Sequence, residues 1–153
     1  DHPGYSKQDT GPAWVASIVN AVGQSSYWNS TAIVVVWDDW GGFYDPVAPP
    51  PRDAQGGPGF RVPMIVISPY VQIGSGSQGG YVSNTVYEFG SIIRFVEDTF
   101  NLGRLGTTDV TCTSIGDIFN FDQTPRAFSV IPSERKKSFF LHQKPSQLPV
   151  DNE

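Results

Sequence analysis

Two adjacent carboxylates, Asp38 and Asp39, are followed by Trp40 and the glycine pair Gly41–Gly42. Paired acids repel one another unless a cation neutralises them, so they are candidate ligands for a divalent metal acting as a Lewis acid on a phosphoryl oxygen. Neighbouring residues on a regular strand point to opposite faces. Both carboxylates reach one ion only if the backbone turns there, and Gly41 and Gly42 supply that freedom through positive φ. An ordinary strand end closed by Asx-type turns uses the same residue types, and the local pattern leaves both readings open. The other polar candidates are His2, near the start of the chain, and His142, in a polar segment near its end. The single cysteine, Cys112, rules out an internal disulfide and a cysteine-rich zinc site.

The elements that must position the aspartates lie on either side of them. Thr31–Trp37 is apolar on both alternating faces, as in a central strand covered by helices on both sides. A second such run, Val62–Ser68, carries Pro63 at its start and is closed by Pro69. Ligands of open α/β sheets bind at the carboxyl ends of strands, where Asp38 and Asp39 sit. The connection from Asp38 to Gly59 is rich in Gly and Pro, and loops of that length are usually functional or mobile. Trp14, Val15, Ile18, Val19 and Val22 predict a helix over 12–23, with Pro12 at its first turn. Thr85 and Glu88 read as a capping box for a helix over 86–100, stopped at Asn101–Gly103. Phe119–Asp122 reads as an aromatic anchor on the body, and the chain beyond Arg126 as extended over the surface. Helix alternating with strand places the chain in the α/β class.

Composition narrows the function. The 153 residues suffice for a domain with a core, and 13% aromatic content argues against disorder. The net charge of −5 comes without a basic stripe, so nucleic acid is not an expected partner. Arg135–Lys137 reads as a solvated charge run. No run approaches the roughly 18 apolar residues of a membrane span. The Gly/Ser segment 72–80 lacks the lysine of a phosphate-cradling loop. The chain opens without an initiator Met or a signal peptide and is expected to be a piece of a longer protein.

Several blocks, in order over about residues 1–130, carry a resemblance. They include Asp1-His2-Pro3, Tyr27-Trp28-Asn29-Ser30-Thr31, Trp37-Asp38-Asp39-Trp40-Gly41-Gly42-Phe43-Tyr44-Asp45, Gly59-Phe60-Arg61-Val62-Pro63, Tyr87-Glu88-Phe89-Gly90-Ser91 and Phe119-Asn120-Phe121-Asp122. Together they resemble the C-terminal half of the bacterial phosphoesterase family of non-specific phospholipases C and acid phosphatases, within the alkaline phosphatase-like superfamily. The resemblance implies a three-layer α/β sandwich with a mainly parallel sheet and helices on both faces, incomplete in this chain. Residues 1–125 would be the C-terminal portion of the catalytic domain and 126–153 an extended tail. Asp38 and Asp39 would ligate a divalent ion (Ca, Mg, Mn or Zn), and His2 would lie in the phosphate pocket as a catalytic group. The expected partners are a phosphate-ester small molecule or phospholipid headgroup and the N-terminal half of the same domain, and the expected location is periplasmic or secreted.

The resemblance has departures. Relatives often carry His at the positions of Pro46 and Asn84, and the family's Glu-Asn ligand pair and Ser or Thr nucleophile come from its N-terminal half, which nothing here matches. The expected function is therefore metal-dependent phosphate-ester hydrolysis by a longer parent protein, with these 153 residues inactive alone. The alternatives are a non-catalytic metal- or ligand-binding domain of the same fold and a sulfatase-like hydrolase, for which Cys112 has no suitable context.

Overall fold

A computed structural model of the chain describes residues 10–51, 58–74 and 80–144. The elements in order are α1 (Thr10–Gly23), β1 (Ile33–Val36), β2 (Met64–Ile67), α2 (Phe89–Phe100) and α3 (Lys137–Leu141). Single-turn 3₁₀ helices lie at Trp28–Ser30, Thr108–Val110 and Ile115–Ile118. No helix among the described residues is long and apolar enough to cross a membrane. The chain divides into two units, Asp1–Trp28 with Phe128–Glu153, and Asn29–Ala127.

In the first unit, α1 buries Ala13, Ala16, Val19 and Gly23, a stripe of small residues at helical spacing, while Trp14 and Ile18 stay substantially exposed. The small side chains let neighbouring chain approach closely. A Cβ on Gly23 would fall 2.3 Å from the ring of Phe128, which packs edge-on against Trp28 at 4.9 Å. Asn20 fastens the returning segment by donating to the Ile131 carbonyl (3.0 Å) and accepting from its amide (2.8 Å). The segment beyond Arg126 is thus bonded to α1 and contains α3, rather than being extended throughout.

The second unit carries the candidate site. β1 and β2 pair antiparallel, Val34 opposite Val66 and Val36 opposite Met64. The resemblance implies a mainly parallel sheet for the whole sandwich, whereas this pair is antiparallel; each apolar run of four residues fits either direction, and two bare strands carry no signal that selects one. One face of the pair, Val34, Met64 and Val66, packs on a core of Val71, Ile115, Ile118 and Phe119. Phe95 of α2 stacks on Phe119 at 4.8 Å, and Phe119 on Phe121 at 5.5 Å, so the expected aromatic anchor is present.

α2 begins at Phe89, three residues later than the sequence predicts. The expected cap, Thr85, donates instead to Asp117 Oδ2 (3.0 Å). Glu88 becomes the N-cap, in a box with Ser91, whose hydroxyl accepts the Glu88 amide at 3.0 Å. Asn101 ends the helix in the left-handed conformation (φ 52°), sending the Leu102 amide back to the Glu97 carbonyl.

Candidate functional site around Asp38 and Asp39

Asp38 and Asp39 follow two and three residues beyond Val36, the last paired position of β1. Past Val36, the Trp37 amide still donates across to the Pro63 carbonyl (3.3 Å), and the chain then turns. The turn is built from the acids themselves. Asp38 Oδ1 accepts the Asp39 amide (3.2 Å), Asp39 Oδ1 accepts the Gly41 amide, and the Phe43 amide returns to the Trp40 carbonyl (3.2 Å). Gly41 and Gly42 take φ of 63° and 72°, a consecutive pair of left-handed residues that side-chain-bearing residues adopt only at a cost.

Both carboxylates are exposed. Among the described residues the remaining oxygen of each, Oδ2, carries no hydrogen bond; Asp39 makes an Asx-type turn bond to the amide two residues on, and Asp38 bonds the amide of the next residue. The two readings open at the level of sequence are therefore compatible in one structure, because the turn engages only one oxygen of each carboxylate.

Hard oxygen donors of this kind suit Ca²⁺, Mg²⁺ or Mn²⁺, and carboxylate also serves zinc. Two carboxylates fit part of such a site. No group of three or more His, Cys, Asp or Glu side chains able to hold a metal occurs among the described residues. His2 lies outside the described residues. His142 closes α3 with its Nδ1 against the Ser138 carbonyl (2.6 Å), a local contact. Pro46 and Asn84 are both exposed in irregular segments.

Two polar constellations went unanticipated. Asp45, Pro46's neighbour, receives the Arg61 guanidinium as a fork, Nε to Oδ2 at 2.8 Å and Nη2 to Oδ1 at 2.7 Å. Arg61 thereby holds the Asp45 carboxyl down at about 2, aided by the Val47 amide. The signal was an acid and an arginine flanking the same Gly/Pro-rich connection, each beside an aromatic residue, but nothing in that spacing specifies pairing. The second constellation is centred on Asp117, which accepts the Tyr87 hydroxyl at 2.6 Å along with Thr85, while Ser83 lies 2.9 Å from the same phenol oxygen. Burial raises the Tyr87 phenol, and the bond to Asp117 raises it further, so it stays protonated and donates. These bonds fasten the segment that carries Asn84.

An open groove of about 710 Å³ elsewhere in this unit is lined by Arg94, Phe95, Asp98, Cys112, Ser114 and Asp117, and includes neither Asp38 nor Asp39. Its guanidinium is committed to backbone, Arg94 Nη1 donating to the Cys112 carbonyl at 2.7 Å and the Val110 carbonyl at 3.2 Å.

Residues 1–103 match the model of the Phosphoesterase family. The chain is 32% identical over 145 residues to non-specific phospholipase C6 of Arabidopsis thaliana, covering 82% of this chain and 28% of that protein. It is 28% identical over 155 residues to non-hemolytic phospholipase C of Pseudomonas aeruginosa, covering 79% and 22%. Phospholipase C B of Mycobacterium tuberculosis is 26% identical over 151 residues, covering 82% and 28%. The relatives thus include a plant protein beside bacterial ones, and the chain spans about a quarter of their length. The turn at Asp38–Gly42 lies inside the matched region, and the chain belongs to the Phosphoesterase family.

Proposed function

We propose that these residues form part of a metal-dependent hydrolase of phosphate esters, acting on a phosphomonoester or a phospholipid phosphodiester. The observation that carries the reading is the match to the Phosphoesterase family across residues 1–103, a region that contains the Asp38–Asp39 turn with both Oδ2 atoms free of hydrogen bonds among the described residues. In this reading Asp38 and Asp39 supply two carboxylate ligands to a divalent ion. The remaining ligands and the hydroxyl nucleophile come from chain outside these 153 residues, so the piece alone is inactive. When bound, the ion supplies charge stabilisation for the equatorial phosphoryl oxygens.

The chain's own residues hold the carboxylates in place. Gly41 and Gly42 reverse the backbone, the Gly41 amide fixes Asp39 Oδ1, and β1 and β2 anchor the turn. His2 would bind the phosphoryl group or protonate the leaving alcohol. The apolar strand pair belongs, in the same reading, to a three-layer α/β sandwich, with residues 1–125 in the catalytic domain and 126–153 as its C-terminal tail. A periplasmic or secreted location accompanies this assignment.

The test is hydrolysis of an aryl phosphate and of a phosphocholine ester by the longer protein that carries this chain. Asp38→Asn and Asp39→Asn each remove metal-binding charge and are expected to lower kcat/KM by at least about 100-fold, as expected when a main electrostatic contributor is lost. Wild-type rates in either variant would overturn the assignment. Pro46, standing where relatives often carry His, favours a second reading, a metal-binding domain without turnover. Hydrolysis by the wild-type protein that disappears with EDTA and returns with added metal rejects that second reading.

A further inference from the structure

Beyond the last ladder pair, the two sides of the connection 37–63 remain tied by three contacts. The Trp37 amide donates to the Pro63 carbonyl at 3.3 Å. The Trp40 ring stacks on Phe60 with centroids 4.7 Å apart and planes 25° off parallel. Asp45 receives the Arg61 fork, and its Oδ1 also accepts the Val47 amide at 3.0 Å. In sequence the Asp38–Gly42 turn lies between Trp37 and Asp45, the residues held by the first and third of these ties.

The turn needs such restraint. Its two left-handed glycines are the residues with most conformational freedom to lose, and its own hydrogen bonds are exposed. Carboxylates that must meet one ion need orientation to within about half an ångström, which a soft turn does not provide by itself. The fork provides what a point charge would not, because two parallel N–H···O bonds set direction as well as distance.

We propose that Asp45 and Arg61 are positioning residues for the Asp38–Asp39 site: their bidentate pair, with the Trp40–Phe60 stack, clasps the two ends of the connection and orients the turn that presents the carboxylates. This rests on the reading of Asp38 and Asp39 as metal ligands. The clasp acts on the order of the site more than on global stability. Arg61 is 61% exposed, and exposed ion pairs contribute little to folding.

The experiment uses the longer protein that carries this chain, with Mn²⁺ as the probe. Mn²⁺ affinity is measured by electron paramagnetic resonance, the Gly41 and Phe43 amides are followed by hydrogen exchange, and the urea midpoint is recorded. Arg61→Ala and Asp45→Asn are each expected to weaken Mn²⁺ binding about 10-fold, the range seen when a group supporting a ligand is lost. Both amides should exchange faster, and the urea midpoint should hardly move. The double variant should be no worse than either single one, since the two residues act as a unit. Arg61→Lys should restore only part of the affinity, because it keeps the charge and loses the fork.

Unchanged Mn²⁺ affinity and unchanged exchange in Arg61→Ala, in a wild-type protein that binds Mn²⁺ through Asp38, would overturn the clasp alone. So would a fall in urea midpoint large enough to account for the affinity loss. A wild-type protein that does not bind Mn²⁺, or an Asp38→Asn variant that binds it undiminished, removes the metal reading and the clasp's role with it.

Discussion

Asp45 gives up its proton far more readily than an ordinary aspartate, because the Arg61 guanidinium donates two hydrogen bonds to the ionised form and the Val47 amide a third. Its folded-state value of about 2 lies below the ordinary 3.8, so the contribution of the pair to the folded state is fully present above about pH 4 and is lost as pH falls through about 2. In a carboxyl titration followed by NMR, Asp45 should show a midpoint near 2 in the wild-type chain and should return most of the way to 3.8 in Arg61→Ala. A midpoint unmoved by that substitution would show that the fork does not form in solution. Residue by residue, the legibility of the sequence is uneven. The turn at Asp38–Gly42 could be read from its own letters, because Asx turns and left-handed glycines are local chemistry. The Asp45–Arg61 pair could not, since its partners meet only once the strands are paired and the connection closed. Asp109 is likewise held down by hydrogen bonds, though from partners only two and three residues away. Burial pushes its carboxyl up, but the Thr107 hydroxyl and amide and the Gly106 amide outweigh this and hold it below the usual range.

Among the elements, α2 is legible in its existence and its stop, but its start and its buried face differ from what the sequence predicts. Helical spacing predicts an apolar stripe of Ile92, Ile93, Val96 and Phe100, but of these only Ile92 packs on the core; Ile93, Val96 and Phe100 are exposed and Phe95 takes the inward place, while the stop at Asn101 follows from its left-handed cap. The start moved because Thr85 and Glu88 satisfy the capping-box pattern while the Thr85 hydroxyl is claimed by Asp117, on a segment distant in sequence. A pattern three residues later, Glu88 with Ser91, closes the box instead. Gly90, in the first turn of α2, makes a close contact with the Thr108–Val110 turn. A Cβ at Gly90 would fall 2.4 Å from Thr108 Oγ1, 3.0 Å from the Asp109 amide nitrogen and 3.1 Å from the Thr108 carbonyl carbon, so the helix rests directly on the Thr108–Val110 turn. Helix propensity alone predicts that Gly90→Ala stabilises by up to about 1 kcal/mol. The close backbone contact predicts the opposite sign, a loss of about 1–3 kcal/mol from overpacking. Urea denaturation decides between them, and a gain in stability would mean that α2 does not sit against that turn.

At the scale of the whole molecule, the apolar character of both strands exceeds what the described fold buries. Val34, Met64 and Val66 face the core, but the alternate residues Ile33, Val35, Ile65 and Ile67 are only partly buried or exposed, Ile65 to 51%. A strand that leaves one face to water ordinarily alternates apolar with polar residues, and β1 and β2 do not. The absence of alternation, which pointed from the sequence to a sheet covered on both faces, is therefore unspent within these residues. The three-layer arrangement proposed for the longer protein would use it, since the chain spans about a quarter of its relatives' length. The direction of strand pairing had no comparable sequence signal, which is why the pattern announced burial but not topology. If the second face is covered in the longer protein, Ile65→Ser there removes a buried aliphatic side chain and introduces a hydroxyl, and the loss should be about 2–4 kcal/mol in urea denaturation. If Ile65 stays half exposed, the same substitution should fall within about 0.5 kcal/mol of wild type. That smaller value would remove the covering layer over this face, and with it the argument that these strands are the interior of a larger sandwich.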